Sequence, residues 1–267
     1  MASSKIHYAV AGGVATIELN DPPANAYSYD MMREIDTAVL DARMDARVWG
    51  IVLRGAGDRF FCAGADIRML ADADADWKYY FCLHANETLN RLEQTPKLVI
   101  AALNGHCVGG GLEVALAADL RIARKDAGKI GLPEVALGVL PGTGGTQRLA
   151  RLVGKGKAIE LMVTGRLVTM DEAKTLGLVN EVWDEARLAG RSFADAVQEY
   201  AAQFTPPHKA SRAVGRIKRA VQSGAEAGFA EGLAIERELQ QLLFQSEDAK
   251  EGLAANLEKR TAEFKGR

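Results

Sequence analysis

The chain has 267 residues, of which 48% are hydrophobic and 25% are charged, and its formal net charge is −2. Such values are typical of a soluble globular protein with a sizeable core, and the small net charge argues against a general nucleic-acid binder. No apolar run approaches the roughly 20 residues of a membrane span, so a membrane protein is not expected.

The cysteine content points to a reducing compartment. Cys62, Cys82 and Cys107 are odd in number and lack the spacing of a metal site, so we expect reduced, small core residues. Residues 1–12 lack the apolar core of a signal peptide and the arginines of a transit peptide. A cytoplasmic location is therefore the default expectation.

Strands and helices alternate in the first half of the chain. Residues Val14–Leu19 alternate in polarity and predict a strand. Tyr29–Ala46 has the periodicity of an amphipathic helix, and the apolar residues 48–54 predict the next strand. Asp76–Glu93 is again helical and stops before Pro96.

The alternation continues through the middle of the chain. The apolar run at residues 98–103 predicts a buried strand, Leu112–Ala118 a helix, and Leu120–Ala123 another strand. Strands that alternate with helices in this way favour parallel pairing with crossover helices. We therefore predict an α/β fold for this part of the chain.

Strand signals vanish beyond about residue 185. Four helices are predicted from there onward: Ala186–Gln203, Pro206–Gln222, Gly228–Gln245 and Ala249–Phe264. An all-helical region after an α/β core is suited to form the contacts between the subunits of an oligomer.

Glu113 lies in a glycine-marked frame directly after the strand at 98–103. The triplet Gly109–Gly111 precedes it and opens the predicted helix. Glycine allows a ligand to approach the main chain closely, and the first turn of a helix carries unpaired N–H groups and partial positive charge. A glycine N–H in this turn can therefore donate to a developing oxyanion, and Glu113 can face the same ligand.

Two further segments have a similar character. Glu134 lies between glycines in the segment Gly131–Gly142. In the segment Phe61–Ile67, small residues again permit close approach of a ligand to the backbone. Asp66 is placed to cap a helix. The N–H of Ala65 is the expected second main-chain donor. Two carboxylates that converge on one small volume suit the addition or removal of water across an activated double bond, because one takes a proton while the other gives one.

These segments together resemble the enoyl-CoA hydratase/isomerase (crotonase) family. The resemblance covers the chain from about Ile6 to Phe264 and is carried by Phe61–Ile67, Asn104–Asp119 and Pro133–Leu149, with further matches at 161–165, 173–180 and 258–260. Such motifs in this order are specific for the family, whereas the family performs several reactions on one scaffold.

The resemblance implies a role for individual residues. The N–H groups of Ala65 and Gly110 would form an oxyanion hole for a CoA thioester, Glu113 and Glu134 would be the catalytic carboxylates, and Gly142 would help to position the water. The residues implied in contact with CoA or the acyl chain are Arg59, Ala63, Ala65, Asp66, Ile67, Arg68, Gly110, Phe244 and Lys259. Leu132 departs from hydratases that have a polar residue near the water.

The resemblance also implies a fold and an assembly. The core, residues 1–195, would be a spiral of ββα turns that holds the CoA thioester site. Residues 196–267 would form a C-terminal helical region that assembles trimers, commonly paired into hexamers. No metal and no separate cofactor are expected, since backbone donors supply the polarisation and coenzyme A is part of the substrate.

The retention of both glutamates favours an enoyl-CoA hydratase, which adds water in syn fashion to a 2-trans-enoyl-CoA and gives a 3-hydroxyacyl-CoA. One alternative is another reaction of the family, such as double-bond isomerisation on the same oxyanion hole. A less favoured alternative is an RNA- or partner-binding protein, supported only by a basic stretch, residues 209–219. The aromatic cluster at Trp77–Phe81 fits either an acyl-chain tunnel or core and subunit packing.

Overall fold

The computed structural model describes residues 4–267, which form two β-sheets surrounded by helices. The strands are β1 (Ile6–Ala11), β2 (Val14–Leu19), β3 (Gly50–Gly55), β4 (Phe60–Cys62), β5 (Leu98–Leu103), β6 (His106–Val108), β7 (Leu120–Arg124), β8 (Lys129–Gly131), β9 (Val168–Thr169) and β10 (Glu181–Trp183). The helices are α1 (Tyr29–Met44), α2 (Ile67–Asp72), α3 (Ala75–Gln94), α4 (Gly110–Leu116), α5 (Gly145–Val153), α6 (Lys155–Thr164), α7 (Met170–Thr175), α8 (Glu185–Leu188), α9 (Phe193–Ala202), α10 (Ser211–Ala225), α11 (Phe229–Phe244) and α12 (Glu247–Glu258). A 3₁₀ helix spans Glu134–Leu137.

From β3 to β8, consecutive strands alternate between the two sheets. The larger sheet has the order β1-β2-β3-β5-β7-β10, and every neighbouring pair except β1 and β2 is parallel. The smaller sheet has the order β4-β6-β8-β9. In each of the units β3-β4-α2 and β5-β6-α4, the first strand belongs to the larger sheet, the second strand belongs to the smaller sheet, and a helix follows. The strands β7 and β8, followed by the 3₁₀ helix, repeat this pattern. The expected ββα spiral with a C-terminal helical region is confirmed.

The central strands β3 and β5 of the larger sheet are buried on both faces. In β3, Ile51 and Leu53 belong to the main apolar cluster, whereas Val52 between them packs into a second cluster on the opposite face. The second cluster includes Trp183 of β10 and Val197 of α9. A strand that is covered on both sides needs apolar residues at every position, which explains the uninterrupted apolar runs of β3 and β5. Each large side chain buried in this way contributes roughly 1.5–3 kcal/mol.

The predicted elements of the first half are confirmed, some of them with shifted ends. The strands at Val14–Leu19 and 98–103 have the predicted bounds, and the helix predicted at Tyr29–Ala46 ends at Met44. The smaller sheet was not predicted, because its strands have only two or three residues each. The strands β1 and β10 were not predicted either.

The prediction of one continuous helix at Ala186–Gln203 was wrong, because the segment forms two helices. The chain turns through left-handed backbone at Ala189 (φ 51°) and Gly190 (φ 80°), which interrupts the helix and separates α8 from α9. The side chain of Ser192 then caps α9 by accepting a hydrogen bond from the N–H of Asp195. The boundary at residue 195 stays a prediction, although α9 spans it and packs on the larger sheet.

The three following C-terminal helices differ from their predicted bounds only at their ends. The helix predicted from Pro206 begins at Ser211, and the one predicted up to Phe264 ends at Glu258, where Lys259 takes a left-handed conformation (φ 55°). None of the helices within residues 4–267 combines the length and the apolar character that crossing a membrane requires.

A buried ion pair attaches α10 to the core. The Lys218 ammonium lies 2.8 Å from an oxygen of Asp119 and also donates to the carbonyl of Lys97. Asp119 further accepts hydrogen bonds from the N–H of Val99 and from Gln222. Lys218 is therefore not part of an exposed basic surface, which weakens the only support for RNA binding.

We expect Lys218→Met to lower the free energy of unfolding by about 3 kcal/mol, because it leaves a buried carboxylate without its counter-charge. The matched control is Arg219→Met, which removes an exposed cation from the next position of the same helix and should change stability by less than about 0.5 kcal/mol. Urea unfolding of both variants measures the difference. Equal stability of the two variants would contradict this role of Lys218.

Candidate active site

The N-terminus of α4 is packed so tightly that only glycine fits there. A Cβ atom added to Gly110 would lie 2.1 Å from the phenolic oxygen of Tyr27 and 2.8 Å from its Cζ. Gly109, which precedes the helix, has a φ of 57°, a region that favours glycine. The first N–H groups of α4 therefore emerge from a fixed backbone at the surface of the core.

A second backbone segment lies against this helix end. Tyr27 pairs with Ala65 in an isolated bridge, in which Tyr27 donates to the carbonyl of Gly64 and accepts from the N–H of Asp66. A Cβ atom on Gly64 would lie 2.9 Å from the nitrogen of Gly110. Within residues 4–267, neither the N–H of Ala65 nor that of Gly110 donates to a protein acceptor. Two free donors thus occur in one small region, which suits a developing oxyanion.

Glu113 is buried in the first turn of α4 and is held by the loop before α5. The N–H groups of Thr143 and Gly145 donate to its Oε1 at 2.8 and 2.7 Å, and the Thr143 hydroxyl donates to its Oε2. Burial raises the pKa of Glu113, while these hydrogen bonds and the charge of Arg148 oppose the rise. The bonds therefore favour the ionised carboxylate.

Glu134 begins the 3₁₀ helix and lies against the same turn. Its Oε1 is 3.1 Å from the position that a Cβ of Gly109 would occupy, and its Oε2 is buried without a hydrogen-bond partner within residues 4–267. Burial, aided by the charge of Glu113, raises the pKa of Glu134 to about 7, although its own backbone N–H opposes the rise. A buried oxygen without a partner marks a place where substrate or water completes the bonding.

Helix α3 forms a further wall beside Gly142. The side-chain amide of Asn86 donates to the Gly142 carbonyl at 3.3 Å, and the Cys82 sulfur lies 3.5 Å from the position of a Cβ on Gly142. Burial, followed by the charge of Glu113, raises the pKa of the Cys82 thiol. Gly142 directly precedes Thr143, whose N–H donates to Glu113, and its role in positioning the water stays a prediction.

Three of the residues predicted to contact the CoA part, Asp66, Ile67 and Arg68, lie at the start of α2. Asp66 caps this helix as predicted, because its side chain accepts from the N–H groups of Arg68 and Met69. Arg59, Ile67 and Arg68 are exposed. Ala63, which is half-buried, donates its N–H to the carbonyl of Ala24. Exposed cations near two free backbone donors suit a substrate with a phosphate-bearing end, and their contacts with CoA stay a prediction.

Phe244 and Lys259 lie elsewhere in the fold. Phe244 ends α11 and Lys259 follows α12, and both side chains are exposed. Within residues 4–267, no hydrogen bond joins the Lys259 side chain to the rest of the predicted site. The structure of one chain therefore does not bring these two residues to the glutamates.

The aromatic cluster on α3 divides into two parts. Phe81 is buried, stacks on Trp77 with ring centres 5.4 Å apart, and lies 6.0 Å from the ring of Tyr27. Tyr79 and Tyr80 are exposed. Phe81 is thus a core residue beside the site, whereas the two tyrosines face away from the core. Leu132, the departure from the family pattern, is buried in the main cluster.

The structure adds Tyr27, Thr143 and Gly145 to the residues that sequence reasoning had assigned to the site. Thr143 and Gly145 lie in the glycine-rich run after Pro141, and this run was the signal that could have found them. Tyr27 has no comparable signal, because it precedes Gly110 by more than eighty residues and nothing in its own segment indicates the contact.

Comparison with known proteins gives the family and the solved structures to which this chain is similar. A family model described as enoyl-CoA hydratase/isomerase matches residues 9–267. The putative enoyl-CoA hydratase/isomerase YngF of Bacillus subtilis is 41% identical, with 95% of each chain covered, and the short-chain-enoyl-CoA hydratase of Clostridium acetobutylicum is 39% identical, with 96% covered. A crystal structure of an enoyl-CoA hydratase from Geobacillus kaustophilus superposes with a TM-score of 0.94 at 44% identity, covering 100% of this chain and 98% of the other.

Proposed function

Because this chain belongs to the enoyl-CoA hydratase/isomerase family, we propose that it hydrates 2-trans-enoyl-CoA thioesters to 3-hydroxyacyl-CoA thioesters. The observation that supports this most is the placement of two carboxylates, the buried Glu113 and the half-buried Glu134, beside two free backbone donors. Relatives named short-chain-enoyl-CoA hydratase and crotonyl-CoA hydratase, at 39% and 38% identity, favour a short acyl chain.

The thioester oxygen would bind between the N–H groups of Ala65 and Gly110. These donors withdraw electron density through the conjugated system, so that C3 becomes electrophilic and negative charge collects on the thioester oxygen as water adds. Each donor of such a pair is worth roughly 3–4 kcal/mol in other enzymes. Gly142 would contribute to the position of the water from the side of α3.

The two carboxylates would then divide the proton transfers. Glu113, which its three hydrogen bonds favour in the ionised form, takes a proton from the water as its oxygen bonds to C3. The electrons of the double bond move toward the thioester, and Glu134 donates its proton to C2. One carboxyl group has then gained a proton and the other has lost one, and exchange with solvent restores the pair. Dehydration is the reverse path.

Isomerisation is the second candidate, because the matched family model includes isomerases and so does the name of one relative. An isomerase moves a proton between two carbons and incorporates no oxygen. The two reactions are separated by offering a 2-enoyl-CoA and a 3-enoyl-CoA of equal length. Formation of a 3-hydroxyacyl-CoA from the first supports hydration, whereas conversion of the second into the first without hydroxyacyl product supports isomerisation.

The raised pKa of Glu134 predicts the pH dependence of hydration. Glu134 donates in its protonated form, so kcat/KM for hydration should fall as the pH rises through about 7. Glu113 acts as the ionised base, so kcat/KM should also fall as the pH is lowered into the acid range. The acid and basic limbs of the pH profile then report the apparent pKa values of the coupled pair of glutamates. We expect the basic limb to disappear from the residual activity of Glu134→Gln. A profile in the wild type that stays flat from pH 6 to pH 9 would contradict this assignment.

We also propose that the chain assembles into trimers or hexamers. Apolar side chains are exposed at the end of the 3₁₀ helix and in the loop after it, at Leu137 and Leu140, and on the C-terminal helices, at Phe229 and Leu257. Such surfaces often mark protein–protein contacts. Sedimentation equilibrium tests the proposal, and a monomer at micromolar concentration would contradict it.

A further inference from the structure

The site contains a tyrosine to which the proposed chemistry gives no role. Tyr27 is buried against the start of α4 and against Phe81 of α3, and burial raises its pKa well above the usual value, so it remains a neutral hydroxyl. Its side chain contacts Gly110 and Thr143, whereas its backbone pairs with the segment around Ala65. A buried tyrosine hydroxyl normally has a hydrogen-bond partner, and here that partner is the Thr143 hydroxyl at 3.4 Å.

Tyr27 connects both free backbone donors. Its main chain pairs with the Ala65 segment on both sides of that residue, through Gly64 and Asp66. Its phenol ring fills the space where any side chain at position 110 would lie. The distance between the N–H groups of Ala65 and Gly110 is therefore set in part by one residue that contacts both segments.

The Tyr27 hydroxyl also reaches Glu113 through Thr143. An ionised carboxylate only accepts hydrogen bonds, so the Thr143 hydroxyl uses its proton for Glu113 and its oxygen is left to accept from Tyr27. The order of donation is thus Tyr27 to Thr143 to Glu113. At 3.4 Å the first of these bonds is long for two hydroxyl groups, so its effect should be smaller than that of the second.

From these contacts we propose that Tyr27 is a positioning residue, which acts through Thr143 to hold Glu113 as a carboxylate in the site. This inference rests on the proposed hydration as far as its catalytic consequence is concerned. The contacts that link Tyr27, Thr143 and Glu113 belong to the structure and do not depend on which reaction the protein catalyses.

The other groups that face Glu113 set the background for its titration. They are Glu134 from the 3₁₀ helix, Arg148 from α5, Cys82 from α3 and Tyr27 itself. None of them is altered by Thr143→Val, and Tyr27→Phe removes only a neutral hydroxyl. A change in the titration of Glu113 in these variants is therefore assigned to the lost donors.

The variants to compare are Tyr27→Phe, Thr143→Val and Thr143→Ser, with Thr88→Val as the control. Thr88 is buried in α3, and its hydroxyl has no partner within residues 4–267, so Thr88→Val removes a buried hydroxyl outside the site. We expect kcat for crotonyl-CoA hydration to fall about tenfold or more in Thr143→Val and about threefold to tenfold in Tyr27→Phe. Thr143→Ser should restore most of the loss, and Thr88→Val should have little effect.

The direction of the pH effect distinguishes positioning from mere packing. Removal of a donor to the ionised form raises the pKa of Glu113, so the acid limb of kcat/KM should move to higher pH, further in Thr143→Val than in Tyr27→Phe. Unchanged limbs in both variants, or a loss equal to that of Thr88→Val, would overturn the inference while leaving the hydration proposal intact.

A titration without substrate separates the two proposals. The carboxyl absorption of Glu113 is followed by infrared difference spectroscopy against pH, with Glu113→Gln as the blank that assigns the band. If the wild type hydrates no enoyl-CoA, the proposed function fails, yet a higher Glu113 pKa in Thr143→Val and Tyr27→Phe still supports the donor chain. An unchanged Glu113 pKa in both variants refutes it.

Discussion

Replacement of Glu134 by glutamine is expected to lower kcat for hydration of crotonyl-CoA by about a thousandfold, within the range of about 10² to 10⁴ that proton transfer by a positioned side chain contributes. Its Oε2 has no protein partner within residues 4–267, and Oε1 lies against the Gly109 backbone. The amide therefore fits the same space with few lost contacts, and the loss should appear in kcat rather than in stability.

Glu113→Gln should cost a similar factor for a different reason. The amide oxygen still accepts from the N–H groups of Thr143 and Gly145, and the amide nitrogen takes the place of Oε2 opposite the Thr143 hydroxyl, which then accepts. The fold survives, whereas the base for the water is gone. The matched control is Glu87→Gln, an exposed position on α3, which should retain full activity. Wild-type kcat in either site variant would show that this carboxylate takes no part in the chemistry.

Gly110→Ala is expected to reduce kcat by at least about a hundredfold, which is the cost of losing one oxyanion-hole donor. The new Cβ would lie 2.1 Å from the Tyr27 oxygen and within 2.9 Å of two ring carbons. Real Cβ atoms do not approach so closely, so the start of α4 must move and carry the Gly110 N–H away from its present position.

Gly156→Ala provides the matched control for this substitution. Gly156 lies in α6, and a Cβ added there meets nothing within 4 Å, so alanine should be tolerated and slightly stabilising. Circular dichroism and thermal unfolding establish that Gly110→Ala is folded before its rate is compared. A folded Gly110→Ala variant with wild-type kcat would rule out the Gly110 N–H as a donor to the thioester.

The sequence alone predicts the regular elements where the pattern is long enough. The apolar run at 98–103 and the alternation at 14–19 give the bounds of β5 and β2 directly. The strands of the smaller sheet could not be predicted, since two or three residues do not establish a period. Interruption of the predicted helix at Ala189 depends on a left-handed residue that is not glycine, which no propensity scale favours.

The residues of the candidate site likewise divide into those that the sequence predicts and those that only the structure shows. Glu113 and the glycines before it were found because helix-start chemistry is local in sequence, and the resemblance to a family supplied their proposed roles. Thr143 and Gly145 hold Glu113 from thirty residues away, and Tyr27 contacts Gly110 across most of the first half of the chain. Contacts of this kind depend on how the ββα turns stack, which periodicity does not determine.

The hydration proposal is tested most directly by incubation of the wild-type protein with crotonyl-CoA in water enriched in ¹⁸O. Mass spectrometry of the acyl-CoA then locates the label. Hydration at C3 predicts rapid loss of the conjugated enoyl-thioester absorbance and formation of 3-hydroxybutyryl-CoA with one ¹⁸O atom at C3. Unchanged crotonyl-CoA, or a product that contains no solvent oxygen, would contradict it.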